Sequence, residues 1–238
     1  MLYEYSMAIL FYAVFSVFAF IGLAFTSRWI SNFKIAYISA KPLGLLIFGY
    51  FIWLLSSLHL FNFQNTALLW IFLAAGIGAS LWSLSKSRSL PSAGWRTGGW
   101  RAAWKNILWV ETSWIIIYLA YLWIRSYNVE IHGTERFMDM AFFNASALTN
   151  YFPPIDPWRA GEPINYYYYG HYLFALLSKL SGITTNFTYT FTLGIIFSSA
   201  VMLSWAFVRR FTKSNIFAAL AGFFTAISGT VAYAFGVL

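Results

Sequence analysis

Acid–base chemistry has few places to reside in this chain. Only seven residues are acidic, and five of them (Glu130, Glu135, Asp139, Asp156 and Glu162) fall between positions 125 and 171. Two of the three histidines, His132 and His171, fall there too. Gly133-Thr134-Glu135 predicts a helix start, with Thr134 as the cap and Glu135 favoured by the positive end of the helix dipole. On a helix running to about residue 148, Glu135 and Asp139 are four apart and share a face. Two carboxylates on one face suit a divalent cation such as Mg or Mn, or a base with an electrostatic anchor. The plainer alternative keeps Glu135 as a helix-start acid and pairs Asp139 with Arg136 or Arg159.

Downstream, residues 151–162 read Tyr-Phe-Pro-Pro-Ile-Asp-Pro-Trp-Arg-Ala-Gly-Glu. The three prolines favour extended backbone, and Gly161 permits a bend. Trp158 suits a membrane interface, while Arg159 either grips a phosphate or pairs with Asp156. Asp156 and Glu162 are the carboxylates of this loop. Tyr166, Tyr167, Tyr168 and Tyr169 then run consecutively, followed by His171. The tyrosines either form an aromatic belt or wall a pocket for a sugar or lipid headgroup. His171 is a candidate proton carrier or ligand beside them, and an interfacial donor otherwise.

The elements around this loop are set by composition. The chain is 60% hydrophobic and 9% charged, against about 25% charged in soluble domains. Repeated apolar runs near the length of a bilayer crossing predict an all-α polytopic transmembrane bundle of about six spans. A transmembrane barrel would alternate in segments of about ten residues, and none do. The absence of cysteine removes disulfides and thiolate metal sites. Spans are expected at residues 5–25, 42–60, 67–84, 107–124, 187–208 and 215–238. The first is read as retained, since no cleavage signature follows it. Pro42 suits the first turn of the second span. Ser181-Gly182 reads as the stop of a short apolar helix, residues 172–182. Residues 1–106 form an N-terminal three-span bundle with basic loops, and 107–238 a second module.

The net charge of +8 does not point to nucleic acid, because the cations sit in short loops between spans. Three such loops hold Arg28, Lys34 and Lys41; then Lys86, Arg88, Arg96, Arg101 and Lys105; then Arg209, Arg210 and Lys213. The middle loop carries Trp95, Trp100 and Trp104. With these loops cytoplasmic, the N-terminus, the turn at 61–66 and loop 125–171 face outward. Helix 172–182 cannot then cross and lies at the interface, leaving one long outward loop with two short juxtamembrane helices. Glu111, near the start of span four, is expected to pair with Lys105, and His59 to sit at an interface. The last span runs to the end of the sequence, so a partner chain or further helices are expected to complete the bundle.

The segments Glu135-Arg-Phe-Met-Asp139-Met-Ala-Phe-Phe-Asn144 and Tyr151-Phe-Pro-Pro-Ile-Asp156-Pro-Trp-Arg-Ala-Gly-Glu162, continuing to Tyr-Tyr-Tyr-Tyr-Gly170-His171, resemble the signature of the YYY membrane proteins. These are large uncharacterised prokaryotic integral membrane proteins, and the match covers residues 133–182. More distantly, the layout is similar to the GT-C membrane glycosyltransferases, the class of the protein O-mannosyltransferases and aminoarabinose transferases. The shared order is a span, an outward loop opening with an acidic motif on a juxtamembrane helix, a proline-tyrosine stretch, a second short helix and another span. This chain departs in its Glu-x-x-x-Asp spacing and in the three spans before the loop.

That resemblance implies a transferase in the plasma membrane of a prokaryote, with a polyprenyl-phosphate sugar as donor and membrane lipids around it. Asp139, then Glu135, would be the catalytic carboxylates or metal anchors. Arg159, Asp156, Glu162, His171 and Tyr166–Tyr169 would contact substrate. Two other classes compete. A transporter would place paired ionisable residues inside spans, where the sequence offers almost none. A non-catalytic scaffold subunit would need an obligate partner.

Overall fold

The computed structural model describes residues 2–86, 99–127 and 134–236. Nine helices are present among them: α1 (Leu2–Val17), α2 (Ala19–Trp29), α3 (Phe33–Ser57), α4 (Thr66–Lys86), α5 (Gly99–Arg125), α6 (Thr134–Leu148), α7 (Tyr169–Ser181), α8 (Thr185–Thr212) and α9 (Asn215–Gly236). The chain is an all-α membrane bundle. Four helices (α3, α4, α5 and α8) are long and apolar enough to cross a membrane, and α1 with α2 makes a fifth crossing if the bent pair is one span. The expected sixth span falls on α9, of which Asn215–Ala226 counts only as a shorter apolar helix, so four to five crossings stand where about six were expected. Arg88, Arg96, Trp95, Glu130 and His132, the Trp100 and Thr134 side chains, and the end of α9 lie outside what is described.

Two helix starts differ from the expectation. The first span is broken, with α1 and α2 meeting at 43° around Phe18. A Cβ on Gly44 would collide with the Phe18 carbonyl, and one on Gly22 with the Ala40 carbonyl. Glycine at both positions lets α2 and α3 touch backbone to backbone, a common way for helices to associate in lipid. Pro42, for its part, does not open α3 but sits inside it. Asn32 caps that helix nine residues before Lys41, its side chain accepting from the Ile35 N–H at 3.3 Å. The cap and the apolar run from Phe33 outweigh the proline signal. A proline inside a membrane helix is tolerated where neighbours satisfy the freed carbonyl. Lys34 and Lys41 are therefore helical, and Lys41 is fully buried.

Helix α6 ends at the expected Leu148, while α7 begins at Tyr169, three residues before the expected start at 172. Helix α7 stops where Gly182 takes a left-handed φ of 69°, the usual glycine C-cap. At 13 residues it spans about 20 Å, too short for a roughly 30 Å hydrocarbon layer. It does not lie free on a surface. It is wedged against α1, α3, α4, α6 and α8, and its Tyr172 hydroxyl donates to the Gly49 carbonyl of α3 at 2.7 Å. One apolar core runs from α1 and α3 through α5 to α7 and α8.

The two ends of the bundle differ in charge. The turn after α3 meets the loop after α6: the Phe63 N–H donates to the Asn150 carbonyl at 2.8 Å. Gln64 donates to the Ala147 and Thr149 carbonyls, and Lys179 donates to Gln64 Oε1 at 2.6 Å. This end carries Glu135, Asp139, Asp156 and Glu162. At the other end Arg28 reaches Ser83 at 2.9 Å and Arg209 reaches Asn215 at 2.8 Å. The 61–66 turn and loop 125–171 share one end of the bundle, opposite Arg28 and Arg209, as charge counting expected.

Candidate functional site

The site is built on α6, α7 and the loop between them. Phe143 and Ala147 of α6 pack with Ala175 of α7 and Tyr189 of α8. That contact seats α6 and turns Asp139 and Phe142, three residues apart, toward His171 on α7. His171 Nε2 lies 3.3 Å from Asp139 Oδ1. Asp139 is 38% exposed at its side chain and His171 17%. Phe142 is buried and forms the floor. The rings of Trp158, Tyr166 and His171 stand around it with centroids 5.7, 5.8 and 5.9 Å away. The other imidazole nitrogen, His171 Nδ1, is buried without a hydrogen-bond partner.

Loop 154–164 holds Trp158 and Tyr166 in place through its own backbone. Ile155 bridges Pro163, the Asp156 N–H donates to the Glu162 carbonyl, and the Ile164 N–H donates to the Pro154 carbonyl. Gly161 makes the turn at φ 86°. Asp156 Oδ1 accepts the Trp158 and Arg159 N–H groups at 2.8 and 3.3 Å. Asp156 is thus a turn cap, and it does not grip the Arg159 guanidinium. The Arg159 and Glu162 side chains are exposed.

The four consecutive tyrosines divide two and two. Tyr168 accepts from Trp53 Nε1 at 3.0 Å and stacks on Phe152, and Tyr169 stands edge-on to Trp53 at 5.9 Å. These two tie α7 to α3. Tyr166 and Tyr167 are exposed, their rings 3.9 Å apart and the Tyr166 hydroxyl donating to that of Tyr167 at 2.7 Å. The hydrogen bond to Tyr167 raises the Tyr166 pKa most, and the fields of Glu135 and Asp139 add to it. Tyr166 therefore stays a protonated donor near those carboxylates.

Of the expected residues, Asp139, His171 and Tyr166 come together, with Tyr167 adjoining. Glu135 is exposed one turn away on the same helix. Asp139 takes His171 as its partner, where spacing alone pointed to Arg136 or Arg159. No group of three or more acidic or histidine side chains is placed to hold a metal ion among the described residues. Glu135 and Asp139 alone would supply two oxygens, a number that suits Mg when substrate phosphate and water complete the shell. A cavity of about 380 Å³ adjoins this end between α1, α5 and α8, lined by Glu4, Tyr5, Ser126, Asn186, Phe187 and Thr190.

A second polar centre escaped the sequence reading. Lys41 Nζ lies 2.7 Å from Glu111 Oε2, so Glu111 pairs with Lys41 of α3 instead of Lys105. Lys41 also donates to the Tyr12 hydroxyl at 2.7 Å and to Ser16 Oγ at 3.1 Å. Tyr12 and Tyr37 each donate to Glu111 at 2.6 Å. The ammonium sits 4.5 Å over the Trp114 ring. Three helices, α1, α3 and α5, are stitched here inside the bundle. The missed signal was Tyr37 and Lys41 on successive turns of apolar α3, with Tyr12 within apolar α1, each needing a buried partner.

A family model described as uncharacterized membrane protein, DUF2298, matches residues 47–238. That stretch includes the whole Asp139–His171 cluster and Glu111, while Tyr12 and Lys41 precede it. Nothing matches among curated proteins or among solved structures.

Proposed function

The chain belongs to this DUF2298 family of membrane proteins, and from its geometry we propose a membrane-embedded glycosyltransferase of GT-C-like layout. It would move a sugar from a polyprenyl-phosphate donor to an acceptor at the face bearing loop 125–171. Asp139 at 3.3 Å from His171, over an aromatic floor, carries this reading. Asp139 takes the proton of the acceptor hydroxyl as its oxygen attacks the anomeric carbon. The bond from that carbon to the phosphate oxygen breaks, and the polyprenyl phosphate leaves with the electron pair. His171 orients the carboxylate. Trp158 and Tyr166 offer aromatic faces for a sugar ring. Arg136 and Arg159, both exposed on this end, supply charge for the phosphate. The apolar part of the 380 Å³ cavity suits the start of the polyprenyl chain. When bound, a divalent cation on Glu135 and Asp139 would offset phosphate charge.

The test is transfer of labelled sugar from a polyprenyl-phosphate donor by the purified protein in nanodiscs. An Asp139→Asn protein that folds and transfers at the wild-type rate sinks Asp139 as the base. We further propose that the host membrane is a prokaryotic plasma membrane and that loop 125–171 is outside. The chain has no cysteine, so Ala160→Cys and Ser214→Cys report sidedness directly. Labelling of Ala160→Cys by an impermeant maleimide in whole cells, with Ser214→Cys protected, is the expected pattern.

One observation favours a transporter component instead: the Lys41–Glu111 pair lies inside spanning helices, where paired charges often mark a pathway. Against it, every donor of Lys41 is already occupied within the network. Substrate flux in liposomes that Glu111→Gln abolishes, without sugar transfer, would select this reading.

A further inference from the structure

The end of the bundle opposite Asp139 carries two adjoining cavities that the proposed transfer does not use. The smaller, about 350 Å³, is lined by Lys34, Asn106, Trp109, Trp205, Arg209 and Asn215 among others. The larger, about 550 Å³, runs between the α2–α3 corner and α8–α9, with Ile30, Leu203, Ala206, Phe207 and Val208 in its walls. Ile35 lines both, so the polar cavity abuts the apolar one. We propose that together they bind one anionic phospholipid, its phosphate in the smaller cavity and an acyl chain in the larger.

Charge carries the choice of ligand. Lys34 and Arg209 are half-buried in one small cavity, and Arg210 lines the neighbouring one. Among the described residues, no carboxylate lines either cavity. Glu111, the one acid on the helices nearby, is taken by Lys41. Like charges held together in a partly dry site repel unless an anion lies between them. The cations are also held in position. Lys34 Nζ sits 4.5 Å over the Trp109 ring, and Arg209 Nε donates to Asn215 Oδ1 at 2.8 Å. The Trp109 and Trp205 rings are 4.9 Å apart, and indoles favour the headgroup level of a bilayer. Basic pockets between membrane helices recognise acidic head groups in this way. A zwitterionic lipid would bring its own cation against Lys34 and Arg209. A free phosphate would leave the apolar cavity unfilled.

Native mass spectrometry of the detergent-purified chain, titrated with phosphatidylglycerol, phosphatidylcholine or glycerol phosphate, separates these sources. We expect one phosphatidylglycerol retained, with phosphatidylcholine lost under the same activation. Lys34→Gln and Arg209→Gln should each weaken phosphatidylglycerol roughly five-fold. Leu203→Trp, which fills the apolar cavity, should weaken the lipid too. Charge-preserving Lys34→Arg and Arg209→Lys should keep it, which separates loss of the site from loss of the fold. Equal retention of the two lipids overturns the proposal. So does unchanged affinity in the Lys34→Gln/Arg209→Gln double variant. Glycerol phosphate binding as tightly as the lipid would assign the site to a soluble phosphate compound and overturn it as well.

Discussion

Two acid–base pairs among the described residues are built in opposite ways. Lys41 and Glu111 are closed off. Each polar atom has partners on α1, α3 or α5, and the lysine is fully buried. Asp139 and His171 are open, at 3.3 Å, with the carboxylate 38% exposed and one imidazole nitrogen lacking any partner. A charge pair inside lipid survives by satisfying every donor and acceptor, which leaves it nothing to offer a ligand. At the end of the bundle the half-exposed Asp139 carboxylate keeps water in reach, and the unpartnered His171 Nδ1 leaves a donor or acceptor unused. The comparison teaches that completeness of hydrogen bonding separates a staple from a candidate site better than charge type does.

The largest expected effect falls on the open pair. Asp139→Asn should lower the proposed sugar transfer about 100- to 10,000-fold, while the thermal unfolding transition in detergent stays at the wild-type position. Loss of folding in that variant would place Asp139 with the staple. The closed pair should behave the other way. Lys41→Met leaves the half-buried Glu111 carboxylate without its cation, and should cost about 1–3 kcal/mol of stability. Adding Glu111→Gln should recover part of that loss. Were Lys41→Met no more damaging than Lys86→Met at the exposed end of α4, the contrast would vanish.

A third prediction concerns the close packing of α2 on α3 beside the staple. Gly22→Ala should destabilise by about 1–3 kcal/mol, because its Cβ meets the Ala40 carbonyl. Gly78→Ala, with nothing within 4 Å of its Cβ, is the matched control and should change little. The smallest effect belongs to Tyr166. Its pKa is raised, chiefly by the hydrogen bond to Tyr167. A raised folded pKa contributes stability below the ordinary tyrosine value of about 10, lost as pH climbs through the folded value. The side chain is exposed, so the change in stability should be slight. The tyrosinate absorbance of wild type minus Tyr166→Phe should show one phenol titrating late. A difference spectrum at the ordinary tyrosine position would remove the Tyr166–Tyr167 pair from the site.

Much of the frame was legible. Apolar runs announced the long helices, Glu135 marked the start of α6, and Ser181-Gly182 marked the end of α7, because these are local preferences of backbone and side chain. The resemblance to the YYY membrane proteins is consistent with the DUF2298 family. The break at Phe18 was not legible, since it depends on Gly44 accepting a carbonyl from another helix. Nor was the start of α3, where the Asn32 cap prevailed over Pro42. Within the site, composition drew attention to ten residues, but it could not tell Asp156, a turn cap, from Asp139.

By itself the sequence determined that this is a helical membrane protein whose carboxylates gather in one loop, because hydropathy and composition are properties of the chain read in order. It could not determine which acid meets which base. Asp139 with His171 lie 32 residues apart, and Lys41 with Glu111 lie 70 apart. Only the packing of α6 on α7, and of α3 against α1 and α5, brought each pair within reach, because a contact between distant segments is decided by how whole helices fit.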